Sequence, residues 1–193
     1  MELPHVLLMP IDHNSSTASL GPAPLAELEE AVSRLRKHCE AGGKQALVVM
    51  ERYMAGRQPG GNHCHLNLIP VPIASAPAAK AAFAAAAASA GFSFEHEFPA
   101  ECAAGPEGQA ALRAAVGEGE FFAVTLPDGS KLVHPLAGRF SMSFGREAAA
   151  ALIGAPDRAD WKNCRLDGGG GGGHTEESAV AQLKANIATS APF

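Results

Sequence analysis

Gly61-Asn62-His63-Cys64-His65-Leu66-Asn67-Leu68-Ile69-Pro70-Val71-Pro72 alternates polar and apolar side chains from His63 to Leu68. Side chains alternate sides along a strand, so His63, His65 and Asn67 share one face and Cys64, Leu66 and Leu68 the other. Two strand rises set the two imidazole-bearing Cα atoms about 6.5–7 Å apart. With the apolar face pinned to a core, the polar face is turned to a cleft or to water. Pro70-Val71-Pro72 is expected to end the strand, since proline cannot donate to a ladder.

Working outward, His5–Pro10 reads as a buried strand closed by the turn-like Asp12-His13-Asn14-Ser15-Ser16. From Pro22 to His38 the apolar residues Leu25, Leu28, Val32, Leu35 and Cys39 step by three and four, a helix that Gly42-Gly43 terminates. Ala46–Glu51 is a second strand, and Met54–Gly61 a Gly/Pro loop leading into the His63 strand. Ala76–Ala90 is a helix of high propensity and weak amphipathicity, and Phe92-Ser93-Phe94 a short strand. Phe121–Leu126 and Lys131–His134 flank Pro127-Asp128-Gly129, a hairpin turn. Ser143–Ile153 is a helix capped by Ser143, Trp161 a packing anchor, and Glu176–Ile187 a short helix.

Ala103–Gly108 reads as a linker between two modules, residues 1–102 and 109–193, with Gly168–Gly173 as a flexible tether in the second. The expected fold class is α+β: an antiparallel sheet with helices, followed by a smaller α+β module.

The 193 residues carry 15 Lys+Arg against 20 Asp+Glu, a net charge of −5, so no global field holds nucleic acid and any RNA contact is local. The four cysteines form no CxxC pair and read as reduced thiols of an intracellular chain. No stretch approaches a membrane span, and no membrane association is expected.

Lone histidines are mostly surface or core residues, whereas two at i and i+2 with Asn at i+4 form a rarer pattern. A metal site needs a third and usually a fourth ligand; no spacing requires Glu51 or His13 to supply it, so neither metal nor cofactor is expected. In a covalent reading one imidazole attacks phosphorus while its strand-mate positions an oxygen. Cys64 reads as a core thiol, Arg146-Glu147 as a surface ion pair, and Arg158, Lys162 and Arg165 as a solvated face.

His63-Cys64-His65-Leu66-Asn67-Leu68 resembles the signature of the histidine-triad nucleotide hydrolases and transferases, and His5-Val6-Leu7-Leu8-Met9-Pro10-Ile11-Asp12-His13 resembles their strand ending in proline and histidine. The resemblance implies that His65 is the phosphate-attacking histidine if the site is active, with His63 and His13 in the same cluster. Asn67 stands where the family has histidine or glutamine, and its amide is one methylene shorter than that of glutamine. Pro59-Gly60-Gly61-Asn62 stands where the hydrolases carry Ser-Val.

Gly61-Asn62-His63-Cys64-His65 with Leu68-Ile69-Pro70-Val71-Pro72, then Phe121-Phe122-Ala123-Val124, Phe144-Gly145-Arg146-Glu147 and Pro156-Asp157-Arg158-Ala159-Asp160-Trp161-Lys162-Asn163-Cys164, is similar in order to the C-terminal half of CwfJ-type, CWF-nineteen-like splicing proteins. That family joins a histidine-triad-like domain to a second domain carrying the last two elements. The resemblance enters the first domain at His5, without the strands that build the nucleobase pocket and without the phosphoesterase-like domain common upstream. That is expected of a fragment or of an incomplete site.

The resemblance implies a nuclear role with late or post-release spliceosome components and with the lariat debranching enzyme. Branched or phosphate-bearing RNA would lie at His13, His63, His65 and Asn67. The leading expectation is a non-catalytic or weakly catalytic interaction module. The alternative is a nucleotidyl hydrolase or transferase with His65 as nucleophile and His63 beside it.

Overall fold

The computed structural model describes residues 4–55 and 62–164 and five helical positions between 178 and 185. The expected Gly168–Gly173 tether and the side chain of Trp161 lie outside the described residues. The strands are β1 (Val6–Leu8), β2 (Gln45–Tyr53), β3 (Leu66–Pro72), β4 (His96–Phe98), β5 (Phe121–Thr125) and β6 (Lys131–Pro135). They form one six-stranded sheet in the order β1-β3-β2-β5-β6-β4, with every pair antiparallel. Between residues 4 and 164 the described α-helices are α1 (Pro22–Ala41), α2 (Ala79–Ser89), α3 (Gly105–Val116) and α4 (Phe144–Leu152), so the fold is α+β as expected.

The two-residue period of the strands sorts the core into two layers. Val48, Met50, Val71, Phe122, Val124 and Leu132 face one way and pack with Phe83 and Ala87 of α2 and Phe144, Ala148 and Ala149 of α4. Leu47, Val49, Leu66 and Leu68 face the other way, against Leu25, Leu28, Leu35 and Cys39 of α1. On that second face Leu112 of α3 packs on Phe121, Ala123 and Val133. The α1 stripe is the one read from its spacing, with Val32 half-buried at its margin.

Three expectations are corrected. Ala103–Gly108 is the cap and first turn of α3 rather than a linker, and β2 on one side of it pairs with β5 on the other. Gly105-Pro106 reads as a chain breaker, yet proline in the first turn starts a helix, because its missing N–H has no intrahelical partner there. Gly108 is required at this point: a Cβ on it would lie 2.5 Å from the Ala103 carbonyl carbon.

Phe92-Ser93-Phe94 is not a strand; the ladder forms later, with His96 opposite Val133, while both phenylalanines pack on the aromatic core. β-Propensity reports burial against neighbours as much as backbone pairing. Finally, Pro70 and Pro72 lie inside β3, opposite Leu47 and Gln45. β1 pairs only with Leu66–Leu68, so beyond Leu68 that side of β3 is an edge, where proline removes no ladder bond.

Candidate functional site

The hydrogen-bonded ladder of β3 begins at Leu66, and residues 62–65 lead into it beside the loop that follows β1. Two bonds tie these segments: Cys64 N–H donates to Asn14 O at 2.6 Å, and Asn62 Nδ2 donates to Ser15 O at 2.9 Å. The predicted alternation holds, with Cys64, Leu66 and Leu68 only 0–7% exposed and His63, His65 and Asn67 half-buried. The polar residues share the sheet face that α2 and α4 cover further along, because Asn67 stands opposite Met50 of that layer.

The candidate residues form two pairs with His65 between them in sequence. His63 Nε2 donates to Pro10 O at 3.0 Å, and its ring meets the exposed His13 ring edge-on with centroids 5.1 Å apart. Asn67 Oδ1 accepts from His5 Nε2 at 3.2 Å. His65 Nδ1 lies 2.9 Å from His63 O. A carbonyl only accepts, so the proton sits on Nδ1 and the neutral ring keeps its Nε2 lone pair for a ligand.

His5 joins this face although sequence reasoning left it as an ordinary strand residue. The signal was its parity: Leu7 stands opposite Asn67, so His5, two residues earlier, is on the same face. Desolvation of its ring, although the residue as a whole is exposed, holds His5 below the usual imidazole range. The Asn67 bond opposes that shift, and the nearby Arg146 charge adds to it.

Arg146 thus lies within electrostatic range of the site, and the expected Arg146–Glu147 ion pair is not seen among the described residues. Glu147 accepts instead from Ser143 Oγ at 2.7 Å. Ser143 occupies the cap position but makes no side-chain cap bond to the backbone. Glycine at 145 lets α4 sit this low on the sheet, since a Cβ there would lie 2.7 Å from Met50 Sδ and 3.1 Å from Phe122. Arg146 occupies the first turn of α4, where the helix dipole disfavours a cation.

Glu51 belongs to the opposite face. It is buried, accepting from the Thr17 N–H at 2.7 Å and from the Thr17 hydroxyl, with the Cys64 thiol 3.7 Å away. Burial pushes its carboxyl above the usual range, only partly offset by the Thr17 bonds, and burial likewise raises the Cys64 thiol. Glu51 therefore anchors the loop that carries His13 rather than joining the histidines. A cavity of about 260 Å³ between α1, α3 and this second face is lined by Glu51, Lys131, Leu25 and Leu112 and by none of the histidines.

Among the described residues no group of three or more His, Cys, Asp or Glu side chains is placed to hold a metal ion. Nor, among them, is any helix long and apolar enough to cross a membrane.

Residues 1–84 match the family described as protein similar to CwfJ C-terminal. The chain is similar to CWF19-like protein 1 of Homo sapiens, 31% identical over 164 residues, covering 84% of this chain and 28% of that protein. It is also similar to zinc finger CCCH domain-containing protein 59 of Oryza sativa subsp. japonica, 34% identical over 170 residues, covering 84% of this chain and 26% of that protein. CWF19-like protein mug161 of Schizosaccharomyces pombe is 33% identical over 166 residues, with coverages of 83% and 26%. The chain thus spans roughly a quarter of the length of these relatives.

Proposed function

The chain carries a CwfJ/CWF19-type C-terminal domain, and on that premise we propose that it is a splicing-associated module whose histidine face contacts the phosphates of RNA. The finer reading places it in the nucleus with late or post-release spliceosome components. There it assists the lariat debranching enzyme, with branched or phosphate-bearing RNA at His13, His63, His65 and Asn67.

The observation that carries this reading is the split of one chain segment into a buried apolar face and an open polar one, joined by His5. With Asn67 Oδ1 occupied by His5, its amide N–H groups remain to donate to a phosphate oxygen. Arg146 adds a fixed positive charge nearby, a charge-assisted donor for a phosphate oxygen. On a chain of net charge −5 such a contact is local. The steep salt dependence of many-phosphate binders is not expected.

A second reading is favoured by one bond. The Nδ1–H of His65 held by His63 O leaves Nε2 as a lone-pair donor, the form a nucleophile toward phosphorus requires. Asn67 weighs against efficient turnover, since its carbonyl oxygen is bound by His5 rather than free to position a leaving group.

The test is a paired one on the purified chain: hydrolysis of a nucleoside phosphoramidate, and pull-down of branched RNA or of the debranching enzyme. The proposal expects His65-dependent binding with little or no turnover. Robust turnover abolished by His65→Ala would establish the second reading instead.

A further inference from the structure

The ladder pairs place the histidine face on the same cross-strand row as a second feature. Arg52 of β2 stands opposite Phe122 of β5, and Phe122 opposite His134 of β6. The β2–β3 ladder ends at the Glu51–Leu66 pair, and His65, which leads into it, lies on the Asn67 side by alternation. Strands β3, β2, β5 and β6 thus form a row that carries Asn67 with its lead-in His65, Arg52, Phe122 and His134 on a single face. Three strand spacings, about 14 Å, separate the ends of the row.

At its far end lies a cavity of about 370 Å³, lined by Phe92, His134, Phe140, Phe144, Arg139 and Glu95. This is the size of a small-ligand pocket. Four of its lining side chains carry aromatic rings that pack on one another: His134 stacks on Phe92 with centroids 4.2 Å apart and planes 20° apart, and Phe140 lies 5.5 Å from Phe92 and 5.3 Å from Phe144. Arg139 is exposed among the lining residues, and Phe140 is half-buried.

The buried His134 Nδ1 has no hydrogen-bond partner among the described residues. Glu95 Oε1 is 3.2 Å from it but not aligned for a hydrogen bond.

We propose that this cavity takes a nucleobase of a single-stranded RNA whose backbone lies on the histidine face. The inference rests on the RNA reading above and extends it from phosphate to base. Phe122 is buried beneath the first turn of α4. A strand running from His65 to His134 therefore passes over that turn, where half-buried Arg146 stands. Arg146 and Arg139 thus place positive charge along the path, with Arg52 donating to Met54 Sδ and lying near the Glu120 charge, and the aromatic pocket closes it. Ring faces accept any base by stacking, and a guanidinium at the rim suits both base plane and phosphate. A docked protein segment would have less use for cations spaced along one row with an aromatic slot at its end.

The experiment measures fluorescence anisotropy of a fluorescein-labelled adenylate RNA octamer, and of the same octamer with abasic riboses, on the full chain. Phe140→Leu keeps the position apolar and removes the ring, and is expected to weaken the intact octamer about tenfold while leaving the abasic one unchanged. His65→Ala is expected to weaken both. If the wild-type chain binds intact and abasic octamers equally, or if Phe140→Leu weakens both alike or neither, the base pocket is overturned while the RNA reading stands. If the wild-type chain binds neither octamer, the RNA reading fails and takes this inference with it.

Discussion

The two faces of the segment from His63 to Leu68 are built from alternate residues of the same chain, yet they obey different constraints. Cys64, Leu66 and Leu68 are removed from water against α1 and its neighbours, so their identity is set by volume and apolarity. His63 and His65 bond backbone carbonyls and Asn67 bonds His5, all through directed hydrogen bonds at a half-buried to exposed surface where packing asks little of them. Polar chemistry at positions that stability does not need is what a recognition surface requires. The difference teaches that damage to one face should unfold the chain, whereas damage to the other should silence it.

The largest effect should come from the closed face. Leu68→Ala leaves a cavity at a fully buried site and is expected to cost about 2–5 kcal/mol, read as a shift in the denaturant midpoint at constant slope. A loss well below 1 kcal/mol would mean that β3 is not seated on α1 as described.

Next comes Gly145→Ala, whose methyl meets Met50 and Phe122 and is expected to cost about 1–3 kcal/mol by overpacking. Because α4 then lifts from the sheet, RNA binding should fall with it. A stabilised Gly145→Ala variant would break the link between that helix and the histidine face.

A smaller effect concerns pH. The Glu51 carboxyl is raised in the folded state by burial, so the folded chain holds its proton more tightly than the unfolded chain. Its favourable contribution is complete below the ordinary carboxylate pKa of 4.5 and is lost as pH rises through the folded value. Glu51→Gln should flatten that part of the stability profile, measured by thermal unfolding across the acid-to-neutral range. An unchanged profile would contradict the burial of a titrating group there.

The smallest stability effect should be on the open face. His65→Ala and Asn67→Ala are expected to change stability by no more than about 0.5–1 kcal/mol, since each loses at most one hydrogen bond at a half-buried position.

Much of this was legible in the sequence because it rests on period. Alternation from His63 to Leu68 set the buried and open faces of β3, and the spacing of Leu25, Leu28, Leu35 and Cys39 set the buried stripe of α1. Asp128 and Gly129 announced the hairpin: the Asp128 carboxylate accepts from the Ser130 N–H at 2.9 Å, and Gly129 takes φ +90°.

What escaped was decided by partners distant in sequence. Proline within β3 is tolerated because β1 is too short to reach it, and nothing local to Pro70 says so. The start of α3 at Gly105-Pro106 looked like a break because a helix start and a linker share those residues. His5, Arg146 and His134 entered the account only through ladder register and the seating of α4, which single-strand periodicity does not encode.

The central claim is that the polar face binds and the apolar face only supports. It is tested most directly by titrating the isotopically labelled full chain with a short branched oligoribonucleotide and following ring and methyl resonances by NMR. The His63 and His65 ring signals are expected to move in a saturable way while the Leu66 and Leu68 methyl signals stay in place. Movement of the leucine methyls with still histidine rings, or no change in either, would contradict it.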